Sequence, residues 1–220
     1  MRRIWALLMA SLLLSGAQGF CQQLKPATTS STEQTTAPSE HKGRKGFIIG
    51  LGLGPGQTGF SSWADRSYLG LKTSKYPEMK FSVNSDFKIG FAPSSKVLIC
   101  WVSEVAWYRE KSYPVGPYLP VQSNSDGVLL ANGIGGACVS YFFRPWAPSI
   151  YVFGGPGYAL LSAPFDDYST SAGFGFFVGG GVEFARHWCV EGSLAGGAPR
   201  VAGMTTRTVT LRIMINWLGY

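Results

Sequence analysis

The stretch GFGFFVGGGVEFARHWCVEGSL, residues 173–194, places two carboxylates, Glu183 and Glu191, inside otherwise apolar runs. Two acids on neighbouring segments could do general acid–base work. They could equally belong to an internal charge network, because an acid buried in such a run is costly unless it is paired. Little else in the chain could do chemistry. GLGLGPG at 50–56 has the glycines of a phosphate loop but lacks GK[ST] and a following helix. Neither histidine, His41 or His187, stands beside a serine and an acid in a triad arrangement. Asp166 and Asp167 are too little for a calcium site. Cys21, Cys100, Cys138 and Cys189 are widely spaced, without a CxxC or a zinc pattern. No catalytic residue, metal site or cofactor is expected.

The elements that hold these residues follow from texture. Residues 1–19, MRRIWALLMASLLLSGAQG, have two arginines, an apolar stretch and small residues before Phe20. That is a cleaved signal peptide, and the apolar stretch is short for a spanning helix. Cys21 would suit lipid attachment, but Phe20 stands where a small residue is needed. Export makes disulfides accessible to the remaining cysteines. Residues 20–45 are rich in Thr, Ser, Gln and Pro and read as a disordered linker ending in the cationic HKGRK. The net charge is +7, part of which leaves with Arg2 and Arg3. No basic stripe is interleaved with stacking aromatics, so nucleic acid is not an expected partner. From 46 to 220 the texture is uniform, as in one domain.

Charged residues are 14% of the chain, well under the usual quarter, and 29 glycines accompany 14% aromatics. Helix periodicity is poor. Eight strands are expected at roughly 46–56, 80–92, 97–109, 128–143, 149–161, 173–185, 188–198 and 208–218. The connections alternate. Short ones fall at 93–96, 144–148 and 186–187; longer ones fall at 57–79, 110–127, 162–172 and 199–207. A closed up-and-down barrel with one tight rim and one loop-bearing rim gives this pattern.

Period two then sorts the side chains. One face carries Phe81, Val83 and Phe87, Phe174 and Phe176, Leu211 and Ile213, together with Trp101, Trp107, Trp188 and Trp217. The other carries Gly50, Gly52 and Gly54, Ser82, Asn84, Asp86, Lys88, Glu104, Glu183, Glu191 and Arg212. The strands at 128–143 and 149–161 are apolar on both faces. The aromatic face holds too much volume for the inside of eight strands, whose interior is just wide enough for side chains to fill it. The arrangement is therefore inverted, with the apolar face to lipid and the polar face to the lumen. Closure pairs every backbone group within the bilayer. Trp101, Tyr141, Phe143, Trp146, Tyr151, Trp188 and Trp217 suit interfacial girdles. Asp86, Lys88, Glu104, Glu183, Glu191 and Arg212 form a lumen charge network with too few cations to pair every acid. Cys100 and Cys138 lie on neighbouring strands on the lumen face, a candidate cross-strand disulfide with small lumen filler as the alternative.

Three stretches carry a resemblance: FKIGFAPSSKVLICWVSEVAWY, SYFFRPWAPSIYVFGGPGY and FFVGGGVEFARHWCVEGSL. Together they resemble the eight-stranded outer-membrane β-barrel family, the OmpA/OmpX-type transmembrane domain, over about residues 46–220. The resemblance implies periplasmic termini, outward-facing long loops and insertion by the barrel-assembly machinery. That machinery reads a terminal outward aromatic, a role that falls here to Trp217 rather than Tyr220. It also implies an outer-membrane location and outer-membrane lipid as partner; as a departure from that family, no peptidoglycan-binding domain is expected after the barrel. The expected function is structural or surface-interacting and non-catalytic, with any extracellular ligand held by the loops. A lipid-modifying enzyme, and a soluble barrel binding an apolar ligand, are the alternatives.

Overall fold

A closed ring of hydrogen bonds, the first strand pairing with the last, organises the chain in a computed structural model. The structure describes residues 43–64, 79–110, 112–114, 120–122, 127–165, 170–201 and 204–220. The expected signal segment, most of the linker and most of the long loops lie outside the described residues. The strands are β1 (Gly46–Ala64), β2 (Lys80–Ser94), β3 (Val97–Glu110), β4 (Ser112–Pro114), β5 (Pro120–Gln122), β6 (Val128–Phe142), β7 (Ser149–Ser162), β8 (Ser171–Ala185), β9 (Trp188–Val201) and β10 (Met204–Gly219). The short β4 and β5 pair with each other between β3 and β6. The other eight close a barrel in the order β1, β10, β9, β8, β7, β6, β3, β2, every pair antiparallel.

The strands begin and end near the expected points at the tight rim. Most of them run further than expected at the other. β1 has 19 residues, beyond the roughly 9–11 needed to span a bilayer. The long connection expected at 199–207 is not there: only residues 202–203 separate β9 from β10. The cause is an alternation that continues past 208. Thr206, Thr208 and Thr210 are buried, while Arg207 and Val209 are exposed.

Alternation also decides what faces where. Phe81, Phe174 and Ile213 are 61–70% exposed, whereas Asn84, Glu104 and Glu183 are at 0–1%. The two ambiguous strands resolve the same way. On β6, Leu130, Ile134, Cys138 and Phe142 are buried and Val139 and Tyr141 exposed; on β7, Tyr151, Phe153 and Leu161 are buried and Ile150, Val152 and Tyr158 exposed.

The lumen is layered. Near the tight rim an apolar cluster includes Ile48, Leu98, Phe142, Tyr151, Phe153, Phe177 and Leu218. Toward the loop rim a second one joins Tyr108, Val128, Leu130, Leu161 and Phe60. Most of the buried polar and ionic side chains lie between, and Arg44 and Glu183 lie at the tight-rim end. The inward face of β3 passes through all three, from Leu98, Cys100 and Val102 through Glu104 to Ala106 and Tyr108.

Candidate functional site: the ionic lumen

Seven charged side chains are buried among the described residues: Arg44, Asp86, Lys88, Glu104, Glu183, Glu191 and Arg212. Six of them are the charges that period two places on the lumen face. Their positions follow from register. Asp86 on β2 stands directly opposite Glu104 on β3. Two like charges so placed repel. Each is offset by a cation: Lys88 Nζ lies 3.2 Å from Asp86 Oδ2, and Arg212 Nη2 lies 2.7 Å from Glu104 Oε2.

Lys88 also crosses the lumen to Glu191. Its Nζ donates to both carboxylate oxygens, at 2.5 and 2.6 Å. The Tyr151 hydroxyl donates to Glu191 Oε1 at 2.5 Å, and Lys88 Nζ sits 5.2 Å from the centre of the Phe153 ring. Tyr151 is thus a lumen residue, not a member of the interfacial girdle. The glycines of β8 explain why. A Cβ at Gly181 would lie 2.8 Å from Tyr151 Cζ, and one at Gly179 would lie 2.5 Å from Phe153 Cζ. The bare backbone of VGGG makes room for both rings.

Glu183 has a different partner, one that the compositional boundary at residue 45 hides. Arg44 is 3% exposed and reaches into the tight-rim end of the lumen. Its Nε donates to Glu183 Oε2 at 2.7 Å, and its Nη2 contacts the same oxygen. Its Nη1 donates to the carbonyls of Ser95, at 2.9 Å, and Arg144, at 3.1 Å. The guanidinium carbon lies 3.8 Å from the centre of the Phe142 ring. The Tyr220 hydroxyl donates to Glu183 Oε1 at 2.7 Å. One arginine therefore ties the approach to β1 to two tight turns and to β8. A usable signal exists in sequence: Arg44 shares even parity with Ile48, Gly50 and Gly52, the lumen face of β1.

Four carboxylates thus face three cations. Asp86 and Asn216 are completely buried at their polar atoms yet have no hydrogen-bond partner there. A cavity of about 10 Å³ adjoins Arg212, Asn132, Thr208 and Thr210, about the space of one water. Asn132 Nδ2 donates to Thr58 Oγ1 and Thr210 Oγ1, both at 2.9 Å. This is a supporting network, not a nucleophile with a base. His187 lies in the β8–β9 turn, with Nδ1 2.7 Å from the carbonyl oxygen of Leu218.

Cys100 and Cys138 are register partners across β3 and β6, but both are free thiols. Phe142 N–H bonds to the Lys96 carbonyl, so alternation makes 100/138 a hydrogen-bonded pair. That is the wider antiparallel spacing, in which side chains stand further apart. Both cysteines are buried in the apolar cluster that also contains Phe142. Trp101, Trp188 and Trp217 are 38–49% exposed on the outer face. Trp107 is partly buried there, its indole N–H donating to Ser85 Oγ at 3.1 Å.

No family model matches the sequence, and no curated protein sequence matches it. Solved structures similar to it include Neisserial surface protein A, 11% identical, covering 80% of this chain and 99% of that chain with a TM-score of 0.45. The outer membrane protein OprG from Pseudomonas aeruginosa is 12% identical, covering 82% and 99% with a TM-score of 0.44. Ail, the attachment invasion locus protein of Yersinia pestis, is 12% identical, covering 79% and 99% with a TM-score of 0.41. With eight antiparallel strands closed in chain order, an apolar exterior and an ionic interior, the chain has the architecture of an eight-stranded up-and-down β-barrel turned apolar side out.

Proposed function

We propose that the chain is an integral outer-membrane barrel with a structural or surface-interaction role and no catalysis, its lumen closed by side chains. One observation carries this reading. The exterior of the barrel is apolar along most of its strands, while Asp86, Lys88, Glu104, Glu191 and Arg212 on the same strands are buried and form ion pairs inside. Such a distribution suits hydrocarbon outside and is the reverse of a soluble barrel. Two apolar clusters and the ion pairs together fill the interior, which favours a closed lumen over a water-filled channel. The long loops on the rigid scaffold are the natural place for any external ligand.

The test is membrane fractionation of the full chain followed by gel migration with and without heating. Recovery in the outer-membrane fraction, with faster migration before heating, is the expected result. Recovery in the soluble fraction without detergent would overturn the membrane reading. In planar bilayers the purified protein should give no steady open-channel current; a sustained conductance would overturn the closed lumen.

A further inference from the structure

The tight rim carries a pattern that the lumen does not use. The segment before β1 and all three tight turns present one exposed cation each: Lys45 before β1, Lys96 in the β2–β3 turn, Arg144 in the β6–β7 turn and Arg186 in the β8–β9 turn. Among the described residues no exposed acidic side chain lies on this rim, because Glu183 is buried on Arg44. The rim is therefore positive toward whatever surrounds it.

One of these cations borders a cleft. On the outer face at the β6–β7 turn, Phe143, Arg144, Pro148, Ser149, Ile150 and Val182 line a space of about 640 Å³, within the range of small-molecule sites. The floor is apolar: Phe143, Ile150 and Val182 are 41–60% exposed on the surface read as lipid-facing. Arg144 is held in place through its backbone. Its N–H donates to Ser149 Oγ at 3.0 Å, and its carbonyl accepts from Ser149 and from Arg44. The side chain is left exposed at the edge of the apolar floor. Arg186 belongs to the adjacent turn, since β7 pairs with β8 with Ser149 opposite Glu183.

We propose that this cleft binds an anionic glycerophospholipid from the leaflet at the tight rim. An acyl chain lies against Phe143, Ile150 and Val182, and the headgroup phosphate lies on Arg144 with Arg186 as the second charge. An apolar floor ending in cations at headgroup depth matches both halves of such a lipid and no wholly soluble anion. The assignment rests on the membrane reading above.

The test uses the full chain refolded in detergent and mixed with phosphatidylglycerol, phosphatidylcholine or glycerol phosphate, with retained lipid counted by native mass spectrometry. The heat-dependent gel shift is recorded first, so failure to fold as a membrane barrel is read separately. Folded wild-type protein should retain phosphatidylglycerol in preference to phosphatidylcholine. Arg144→Gln and Arg186→Gln should each weaken that retention about fivefold, the effect of one cation beside an anionic membrane surface. Val182→Trp, which fills the cleft without changing charge, should weaken it as well. Arg200→Gln, an exposed change at the opposite rim, should not. Equal retention of the two lipids by folded protein would overturn the proposal. So would full retention in Val182→Trp, or displacement of the lipid by glycerol phosphate at equal concentration.

Discussion

Replacing Arg44 with methionine would leave Glu183 fully buried without its cation, with the Tyr220 hydroxyl still donating to it. Removing one member of a buried pair costs about 3–5 kcal/mol, because the remaining charge is uncompensated. Arg44→Met should therefore lower the unfolding free energy of the refolded barrel by that order, read from denaturant titration. The double variant Arg44→Met, Glu183→Leu should recover most of the loss, since an apolar pair of similar volume is often neutral. If the single variant unfolds like wild type, Arg44 is not a structural part of the lumen. The same arithmetic applies to Lys88, which serves Asp86 and Glu191 together. Lys88→Met would strand two acids instead of one, and its loss should exceed that of Arg44→Met in the same unfolding series.

The strands were legible because period two and turn chemistry agree along most of the chain. Three details were not. Tyr151 is flanked by apolar residues on both parities of β7, so alternation alone could not say which face was inward; the deciding feature is Gly181 on the partner strand. Arg44 sits in a segment whose composition is that of a linker, and composition does not see parity. The outer part of β10 is threonine-rich, which resembles a loop until Thr206, Thr208 and Thr210 are read as one face. The β7–β8 relation makes its own prediction. Gly181→Val should push the Tyr151 ring off Glu191 and cost about 1–3 kcal/mol by overpacking. Gly192→Ala, in the next strand, should be nearly silent, because the nearest atom to its new Cβ is 4.0 Å away. Equal effects from the two would mean that the β8 glycines are not there to admit the rings. Fluorescence-monitored unfolding in the same detergent separates these outcomes.

At the scale of the whole molecule, the distribution of apolar surface can be tested by the sign of a single substitution. Ile213 is 61% exposed near the middle of the apolar face of β10, between the exposed Arg207 and Trp217. In water, an exposed isoleucine replaced by arginine is nearly neutral for stability and favourable for solubility. In hydrocarbon the same change costs about 2–4 kcal/mol at the bilayer midplane and falls to about 0–1 kcal/mol near the interfaces. Ile213→Arg should therefore destabilise the barrel refolded in lipid vesicles by the larger amount. Val209→Arg, four residues nearer the loop rim on the same face, should cost less. A soluble barrel has no depth axis, so the two variants would then behave alike. The same depth dependence cannot come from loss of packing, because both side chains already point away from the lumen. A graded cost along one strand would thus fix which medium surrounds the aromatic exterior, independently of where the protein is recovered from cells.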